Sequence, residues 1–423
     1  MARTAVAMLC CFVLVGLTAP AVRAETVVVR ATGYLDVERG KIVEPAVIVV
    51  EGDKISAVNP DLVPPGAETI DLGNRVLLPG LMDMHTHLTY DLEGDWSNRP
   101  VKETAPDWAL RGARNAKRTL EAGFTTVRDI WSAGGMPDVA LMHAIEEGMV
   151  EGPRMFASGN ALSITGGHCE HTGFAPGILE GGPHEGVADG TDEVLKAVRY
   201  QIKHGANVIK ICATAGVLSF EGPVGAQQYS LEEMQAVVEE AARHGVRVAA
   251  HAHGTEGIIA ASRAGVASVE HASILTDEAV GVLKENGTWV VFNLYLVEAI
   301  DRESLPEQLQ AKMDYVGSKV YDSFTMAIDG GLSMAFGTDA GVFPHGDNAR
   351  ELTAQVKHGL QPIEAVRSAT IYAAEVLGVE DRGVIESGRY ADLIAVDGNP
   401  IDDISLLEDV QFVMKGGVVY KER

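Results

Sequence analysis

Short apolar runs alternate with amphipathic stretches through the middle of the chain. The runs are rich in Val, Ile, Ala or Phe and end on polar side chains, and most are followed by a segment with helical periodicity. The predicted strands are the segment that begins at Leu81 and those at 124–130, 154–160, 207–213, 247–253, 267–273, 288–294 and 333–339. Helices are predicted at 191–205 and 230–245, the second with a capping box of Ser230 and Glu233. Eight strand–helix units over about 300 residues predict an α/β fold, a (β/α)8 TIM barrel.

The two ends of the chain differ from its middle. From Thr26 to Val76, and again after residue 380, Val, Ile and Leu alternate with polar residues between turns that contain Gly or Pro. We therefore expect one small β domain assembled from both ends. Its two parts would span 25–79 and 380–423, and the central domain would span 80–379.

The first 24 residues have the layout of a secretory signal peptide. Arg3 gives a positive start, residues 5–15 are almost wholly apolar, and small residues precede Glu25. We therefore expect residues 1–24 to be removed and the protein to be exported, either to the periplasm or out of the cell. No later stretch is long and apolar enough to predict a membrane span, so no membrane association is expected after signal removal.

Charge and cysteine content restrict the partners further. The chain carries 34 Lys and Arg against 59 Asp and Glu, and loss of two arginines with the signal gives 32 − 59, or −27. So acidic a protein is not expected to bind nucleic acid or anionic membranes.

Cys169 and Cys212 remain in the mature chain. A disulfide between them is possible in an oxidising compartment. We nevertheless expect free buried thiols, because one bridge adds little to so large a core.

A pair of histidines ends the first predicted strand of the middle region. In a strand, His85 and His87 point to the same side about 6.5 Å apart, a separation at which two imidazoles can share a metal ion. By itself this spacing is weak evidence of metal binding. The hypothesis gains weight because other strand ends in the chain also carry side chains that bind metals.

Four such side chains end later runs: Lys210, His251, His271 and Asp339. Each also has a structural interpretation, since Lys210 could reach solvent, the histidines could be core residues, and Asp339 could cap a helix. Buried and unpaired, the Lys210 amine would tend to lose its proton. By contrast, His204, His244 and His358 precede glycines at predicted helix ends and suit the helix dipole.

The order and strand placement of these six residues resemble the amidohydrolase superfamily. The stretches SGNALSITGGH, KICATAGVLS, VAAHAHG and FGTDAG are similar to its imidazolonepropionase-related branch. That branch includes metal-dependent dipeptidases and carboxypeptidases, often labelled Xaa-Pro dipeptidase, and enzymes that hydrolyse N-acyl amino acids such as ochratoxin A. The β-rich ends resemble the β-sandwich domain that accompanies the barrel in this superfamily.

The resemblance implies a site with two divalent ions, expected to be Zn2+. His85, His87 and Asp339 would hold one ion, His251 and His271 the other, and a carboxylated Lys210 would bridge them. A hydroxide shared by the ions would attack the amide, with Asp339 as the catalytic residue that moves the proton. The chain contains no Gly-x-Ser-x-Gly motif that would indicate a serine nucleophile instead.

The substrate expected from this resemblance is a small molecule, a dipeptide or an N-acyl amino acid with a free carboxylate. Two ions, a carbamate, an aspartate and a hydroxide sum to a formal charge of about +1, which would attract that carboxylate. His168, Tyr229 and His253 are the predicted substrate contacts. Leu218 and Val342 are predicted to line an apolar pocket, and the resemblance also implies a homo-oligomer.

Two other functions fit part of the sequence. His253 and Glu256 have the His-x-x-Glu spacing of mononuclear deaminases and imidazolonepropionases, which attack a cyclic amide or amidine. Lys210 argues against that function, since the mononuclear branches need no bridging lysine. A ligand-binding barrel without enzymatic activity is the third possibility, and the presence of all six metal-binding positions argues against it.

Overall fold

The computed structural model describes residues 26–94, 96–132 and 134–423, so the predicted signal peptide lies outside the described residues. The strands are β1 Thr26–Ala31, β2 Gly33–Asp36, β3 Lys41–Val43, β4 Ala46–Glu51, β5 Lys54–Val58, β6 Glu68–Asp71, β7 Val76–Pro79, β8 Leu81–Thr86, β9 Phe124–Asp129, β10 Arg154–Ala157, β11 Val208–Cys212, β12 Arg247–Ala252, β13 Ser268–His271, β14 Trp289–Val291, β15 Leu393–Val396, β16 Phe412–Lys415 and β17 Val418–Glu422.

The helices follow the strands of the middle region, as the hydrophobic pattern predicts. They are α1 Ala105–Glu121, α2 Pro137–Glu146, α3 Gly190–Lys203, α4 Leu231–Arg243, α5 Thr255–Ala264, α6 Asp277–Asn286, α7 Leu296–Ala299, α8 Glu307–Gly330, α9 Arg350–Lys357, α10 Pro362–Ser368 and α11 Ile371–Leu377, with short 3-10 helices at Trp96–Val101, Arg302–Ser304 and Ile404–Glu408. None of them, within the described ranges, combines the length and the apolar character that crossing a bilayer requires.

Strands from both ends of the chain pair with one another. A six-stranded sheet has the order β17-β16-β15-β7-β2-β3, and a four-stranded sheet has the order β5-β4-β1-β6. Strand β15 runs antiparallel to β7 and places Leu393 opposite Pro79. Buried side chains of both sheets, among them Ile48 and Phe412, form one apolar cluster. The terminal segments therefore share a core, while the boundaries 25–79, 80–379 and 380–423 stay a prediction.

The middle of the chain forms two parallel sheets flanked by helices. One has the order β10-β9-β8 and the other the order β11-β12-β13-β14. In the second sheet Cys212 pairs with His251, and Ala252 pairs with His271. Because the strands run in parallel and in register, the polar residues that end them come to the same edge of the sheet.

The predicted eighth strand, 333–339, does not form a continuous strand. Met334 makes an isolated bridge to Val290, and Ala340, the residue after the segment, makes one to Thr86, so this part of the chain touches both parallel sheets. At Gly337 a side chain would have its Cβ 2.3 Å from a methyl group of Val291, so only glycine allows this close approach. A second link between the two parallel sheets lies between the segment after β10 and strand β11, where Leu162 N donates to Lys210 O at 2.8 Å. Closure of the two sheets into one barrel stays a prediction.

The capping box predicted for the second helix is present in α4. Glu233 N donates to Ser230 Oγ at 3.2 Å, and Ser230 N donates to Glu233 Oε2 at 2.8 Å. The two bonds satisfy backbone groups that the first turn of a helix leaves unpaired. The helix begins one residue later than predicted, with Ser230 as its N-cap, and ends two residues earlier.

Glu351, buried at the start of α9, should make stability depend on pH. Burial raises the pKa of its carboxyl to about 8, although Tyr295 N donates to it at 2.7 Å. Because the folded pKa lies above the unfolded value near 4.5, the stabilisation is complete below that value and is lost as pH rises through about 8. In urea unfolding, the free energy of unfolding of wild type should therefore fall between pH 5 and pH 8. The fall should be smaller in Glu351→Gln by about 2–4 kcal/mol.

The exposed Glu285 on α6 provides the matched control for this change. Glu285→Gln, measured over the same pH range, should keep the wild-type pH dependence. Equal slopes for the two variants would contradict the role given to Glu351.

Candidate active site

A cavity of about 200 Å³ opens where the parallel strands of the middle region end. Its lining includes the six residues predicted as metal ligands and, of the predicted substrate contacts, His168, His253, Leu218 and Val342. The six are His85, His87, Lys210, His251, His271 and Asp339. All six side chains are buried. The fold thus brings together residues that are up to 254 positions apart, from His85 to Asp339.

One group of ligating atoms converges on the carboxylate of Asp339. His87 Nε2 lies 2.9 Å and His85 Nε2 lies 3.5 Å from Asp339 Oδ1. The rings of His85 and His87 have centroids 5.2 Å apart, which agrees with their predicted placement on one side of β8. Two imidazole nitrogens and a carboxylate oxygen at these distances match the donors that zinc-like ions use.

A second group consists of three histidines. His251, His253 and His271 each offer a ring nitrogen, and these atoms lie within 4.8 Å of one another. The atoms offered by His85, His271 and Asp339 meet the same criterion, so His271 belongs to both groups. The structure therefore places His253, predicted as a substrate contact, among the candidate ligands as well.

Burial keeps these histidines neutral. It lowers the pKa of His85 to about 4 and that of His253 to about 3, with further lowering by nearby Lys210 and, for His253, by His168. The pKa values of His251 and His271 are also well below the usual value, mainly because of burial. A neutral imidazole has a free lone pair, which is the form that binds a metal ion.

The charged members of the site are held in a balance of opposing effects. Burial lowers the pKa of Lys210 to about 8, although Glu270 and Asp339 act to raise it. For Asp339 burial acts to raise the pKa, but the electrostatic interaction with His85 and the hydrogen bond from His87 outweigh it and leave the pKa lowered. Asp339 is therefore ionised at neutral pH, and Lys210 has an accessible neutral form.

Two features of the cavity fit a bound metal. His251 Nε2 is a buried ring nitrogen without a hydrogen-bond partner among the described residues, which is costly unless a ligand contacts it. His271 and Asp339 also adopt left-handed backbone conformations, with φ of 72° and 62°. Such strain in residues other than glycine is concentrated at functional sites. The donors and their environment therefore fit one or more divalent ions.

Glu270 orients His85, a role that the sequence reasoning missed. His85 Nδ1 is 3.1 Å from Glu270 Oε2, and Arg128 Nη2 donates to Glu270 Oε1 at 2.7 Å. Burial acts to raise the pKa of Glu270, but Arg128 and His85 hold it at about 2. The carboxylate thus engages Nδ1 of His85 and leaves Nε2 for a metal, as in carboxylate–histidine–metal arrangements. The sequence did contain a signal for this role, because Arg128 and Glu270 are charged residues inside predicted buried strands.

Asp83 fixes the backbone around Asp339 and was also missed. Its carboxylate accepts from Thr338 Oγ1 at 2.6 Å and from Asn348 Nδ2 at 2.8 Å. The same carboxylate accepts from His85 N at 3.1 Å. These bonds tie β8 to the segment that ends in Asp339, so the two halves of the first ligand group keep a fixed separation.

The structure does not bring Tyr229 into the cavity, which corrects the expectation that it contacts substrate. Its hydroxyl donates to Ala188 O at 3.1 Å, and the ring belongs to the main apolar core.

The position of Glu256 weakens the mononuclear alternative. Glu256 lies in the first turn of α5 with an exposed side chain, and it is absent from the cavity lining.

Cys169 and Cys212 form a disulfide, so the prediction of two free thiols was wrong. Their Cα atoms are 5.9 Å apart, within the usual range for this bond. The pairing arises because the long loop after β10 folds over the end of β11, a contact across 43 residues that local patterns do not reveal. Both cysteines line the cavity.

Comparison with known proteins extends the similarity over most of the chain. The model of the amidohydrolase family matches residues 76–421. The chain is 37% identical over 371 residues to an ochratoxinase of Aspergillus niger, covering 82% of this chain and 76% of that protein. It is 26% identical over 400 residues to an imidazolonepropionase of Deinococcus radiodurans, covering 84% and 86%. The crystal structure of a Xaa-Pro dipeptidase with methionine in its active site superposes with a TM-score of 0.89 at 38% identity, covering 94% of this chain and 100% of that chain.

Replacing Glu270 by Gln should weaken metal binding by about 10–100-fold, because the neutral amide no longer balances Arg128 or fixes the ring of His85. Competition between the purified protein and a chromogenic zinc chelator measures the affinity. Glu256→Gln makes the same chemical change at an exposed position and should leave the affinity as in wild type. Unaltered metal affinity in Glu270→Gln would remove the orienting role.

Proposed function

The chain belongs to the amidohydrolase family, as its sequence predicted, and on that premise we propose that it is a binuclear enzyme acting on dipeptides or N-acyl amino acids. Hydrolysis of amide bonds follows from the family and its relatives. The observation that carries the finer proposal is the convergence of six buried ligating side chains in one cavity.

In this proposal His85, His87 and Asp339 would hold one ion, and His251 and His271 would hold the other. Lys210, once carboxylated by CO2, would be a ligand of both, and the lowered pKa of its amine supports this because a share of neutral amine is available for the reaction. When bound, Zn2+ ions supply Lewis-acid polarisation of the amide carbonyl and acidify water at the site. His253, which also lies in the second group, keeps its Nδ1 on Ser273 Oγ at 2.9 Å.

Asp339 is the proposed catalytic residue. Its ionised carboxylate would accept a proton from the attacking water and would later give that proton to the leaving nitrogen. The fixed backbone around it, held by Asp83 and Thr338, keeps the carboxylate at one distance from the reacting atoms. His168 and His253 are the proposed polar contacts of the substrate.

The lining of the cavity supports a substrate with an apolar side chain. Leu218 and Val342 are joined there by Leu296, Met313 and Val316. Among the described lining residues there is no arginine, and Lys210 is the sole lysine. A substrate carboxylate would therefore meet histidines and the positive charge of the metal centre. The Xaa-Pro dipeptidase with bound methionine, an amino acid with a free carboxylate and an apolar side chain, is consistent with this.

The same proposal includes the architecture and the location of the protein. The two parallel sheets would close into one (β/α)8 barrel, with the β-sandwich domain formed by 25–79 and 380–423. Residues 1–24 would direct export, and the disulfide supports this, since such bonds persist in oxidising compartments. A homo-oligomer is part of the proposal by analogy with the superfamily.

Lys210→Ala should lose most of the bound metal and the activity, because the bridge between the ions is gone. Short carboxylic acids added to the buffer should restore both, since they can occupy the place of the carbamate. Metal per chain is measured by inductively coupled plasma mass spectrometry, with about two ions expected in wild type. Lys203→Ala, at an exposed position on α3, is the control, and full activity in Lys210→Ala would refute the bridged site.

Dipeptides with a free carboxylate should be hydrolysed faster than the matching C-terminal amides. The expected advantage is on the order of 10–100-fold in kcat/KM, because one charged contact contributes about 1.5–3 kcal/mol. A library of dipeptides, their amides and N-acyl amino acids, tested on the purified protein, measures it. Equal rates on acids and amides would rule out the carboxylate contact.

A further inference from the structure

A hydrogen-bonded chain of three residues lies beside the cavity and is not part of the metal site. His168 Nδ1 is 2.5 Å from Ser219 Oγ, and Ser219 Oγ is 2.5 Å from Glu221 Oε1. Glu221 Oε1 is also 3.4 Å from His168 Nδ1. His168 comes from the loop after β10, whereas Ser219 and Glu221 come from the loop after β11. The chain therefore joins two loops that both contribute residues to the cavity lining.

The charge of Glu221 sets the direction of the hydrogen bonds. Burial acts to raise the pKa of its carboxyl, but the hydrogen bonds from His168 and Ser219 lower it to about 2. An ionised carboxylate only accepts hydrogen bonds, so the Ser219 hydroxyl donates to Glu221. Ser219 Oγ is then the acceptor for His168, and the ring hydrogen resides on Nδ1. Nε2 is the ring nitrogen left for the cavity.

The surroundings hold this arrangement from several sides. Lys312 on α8 is buried and donates to Ser219 O at 2.7 Å and to Glu221 O at 2.6 Å, which fixes the loop after β11. At Gly216 any side chain would have its Cβ 2.2 Å from Cε1 of His168. The bond from Cys169 to Cys212 ties the residue next to His168 to the end of β11. The imidazole of His168 therefore has little freedom to rotate.

We propose that Glu221, acting through Ser219, is a positioning residue that presents Nε2 of His168 to the substrate amide. This inference rests on the proposed function, since His168 is a substrate contact there. It adds distinct roles for the two loops. The loop after β10 provides the contact residue, His168, and the loop after β11 fixes the tautomer and the orientation of that histidine. The ring of His168 lies against His251, with centroids 4.2 Å apart, so the imidazole lies next to the candidate metal ligands.

Glu221→Gln tests the inference with a change that keeps the size of the side chain. The amide of Gln can donate as well as accept, so the Ser219 hydroxyl is no longer directed one way. Ser219→Ala is the second variant and removes only the relay hydroxyl. The control is Glu170→Gln, since Glu170 lies in the same loop as His168 but accepts from Gly166 N at 2.5 Å.

Three measurements are made on each metal-loaded variant. The first is kcat and KM on one substrate, and the second is metal per chain. The third is 15N NMR of histidine-labelled protein at one pH, with the His168 signals assigned from the spectrum of His168→Gln. The NMR spectrum reports which ring nitrogen carries the hydrogen and does not depend on catalysis.

Both Glu221→Gln and Ser219→Ala should lower kcat/KM by on the order of 10–100-fold, with unchanged metal content and a mixed tautomer at His168. Glu170→Gln should match wild type in all three measurements. Wild-type tautomer and kinetics in both variants would overturn the inference. A wild-type enzyme that hydrolyses no member of the substrate library would refute the proposed function instead, and the NMR spectra would still decide whether Glu221 sets the tautomer of His168.

Discussion

Parallel pairing of β11, β12 and β13 in a fixed register is the constraint on which the site depends. Each strand is short, and its functional residue lies in the last few positions or at the very end. A shift of one residue in any strand would turn that side chain to the opposite face, because side chains alternate along a strand. The buried apolar residues that fix the register, such as Ile209 and Val269, therefore help to determine the geometry of the candidate ligands.

The cavity also requires that buried charges be balanced. Lys210, Glu270, Arg128 and Asp339 all lie in the same interior, where an unpaired charge would cost several kcal/mol. Pairing of Arg128 with Glu270 leaves His85 neutral and oriented, and the ionised Asp339 faces two imidazoles. This arrangement serves the chemistry more than stability, since burying ion pairs seldom stabilises a fold.

The sequence predicted the parts of this molecule that follow from periodicity. Seven of the eight middle strands, the capping box of α4 and the gathering of six polar residues at one edge all come from short-range patterns. The predictions for Tyr229 and for the cysteine pair were wrong because the environments of these residues depend on how long loops fold back, which no local pattern encodes. Glu270 and Asp83 were missed for a related reason, since their partners Arg128 and Asn348 come from other elements.

The link between Cys169 and Cys212 bears on how the protein is made for study. A chain expressed in a reducing bacterial cytosol would carry two thiols in its place, and the loop that holds His168 would lose its only covalent anchor within the described residues. Soft thiolates beside a cavity lined by candidate metal ligands can also capture metal ions themselves. Preparations from reducing and oxidising hosts are therefore chemically different molecules at the mouth of the cavity.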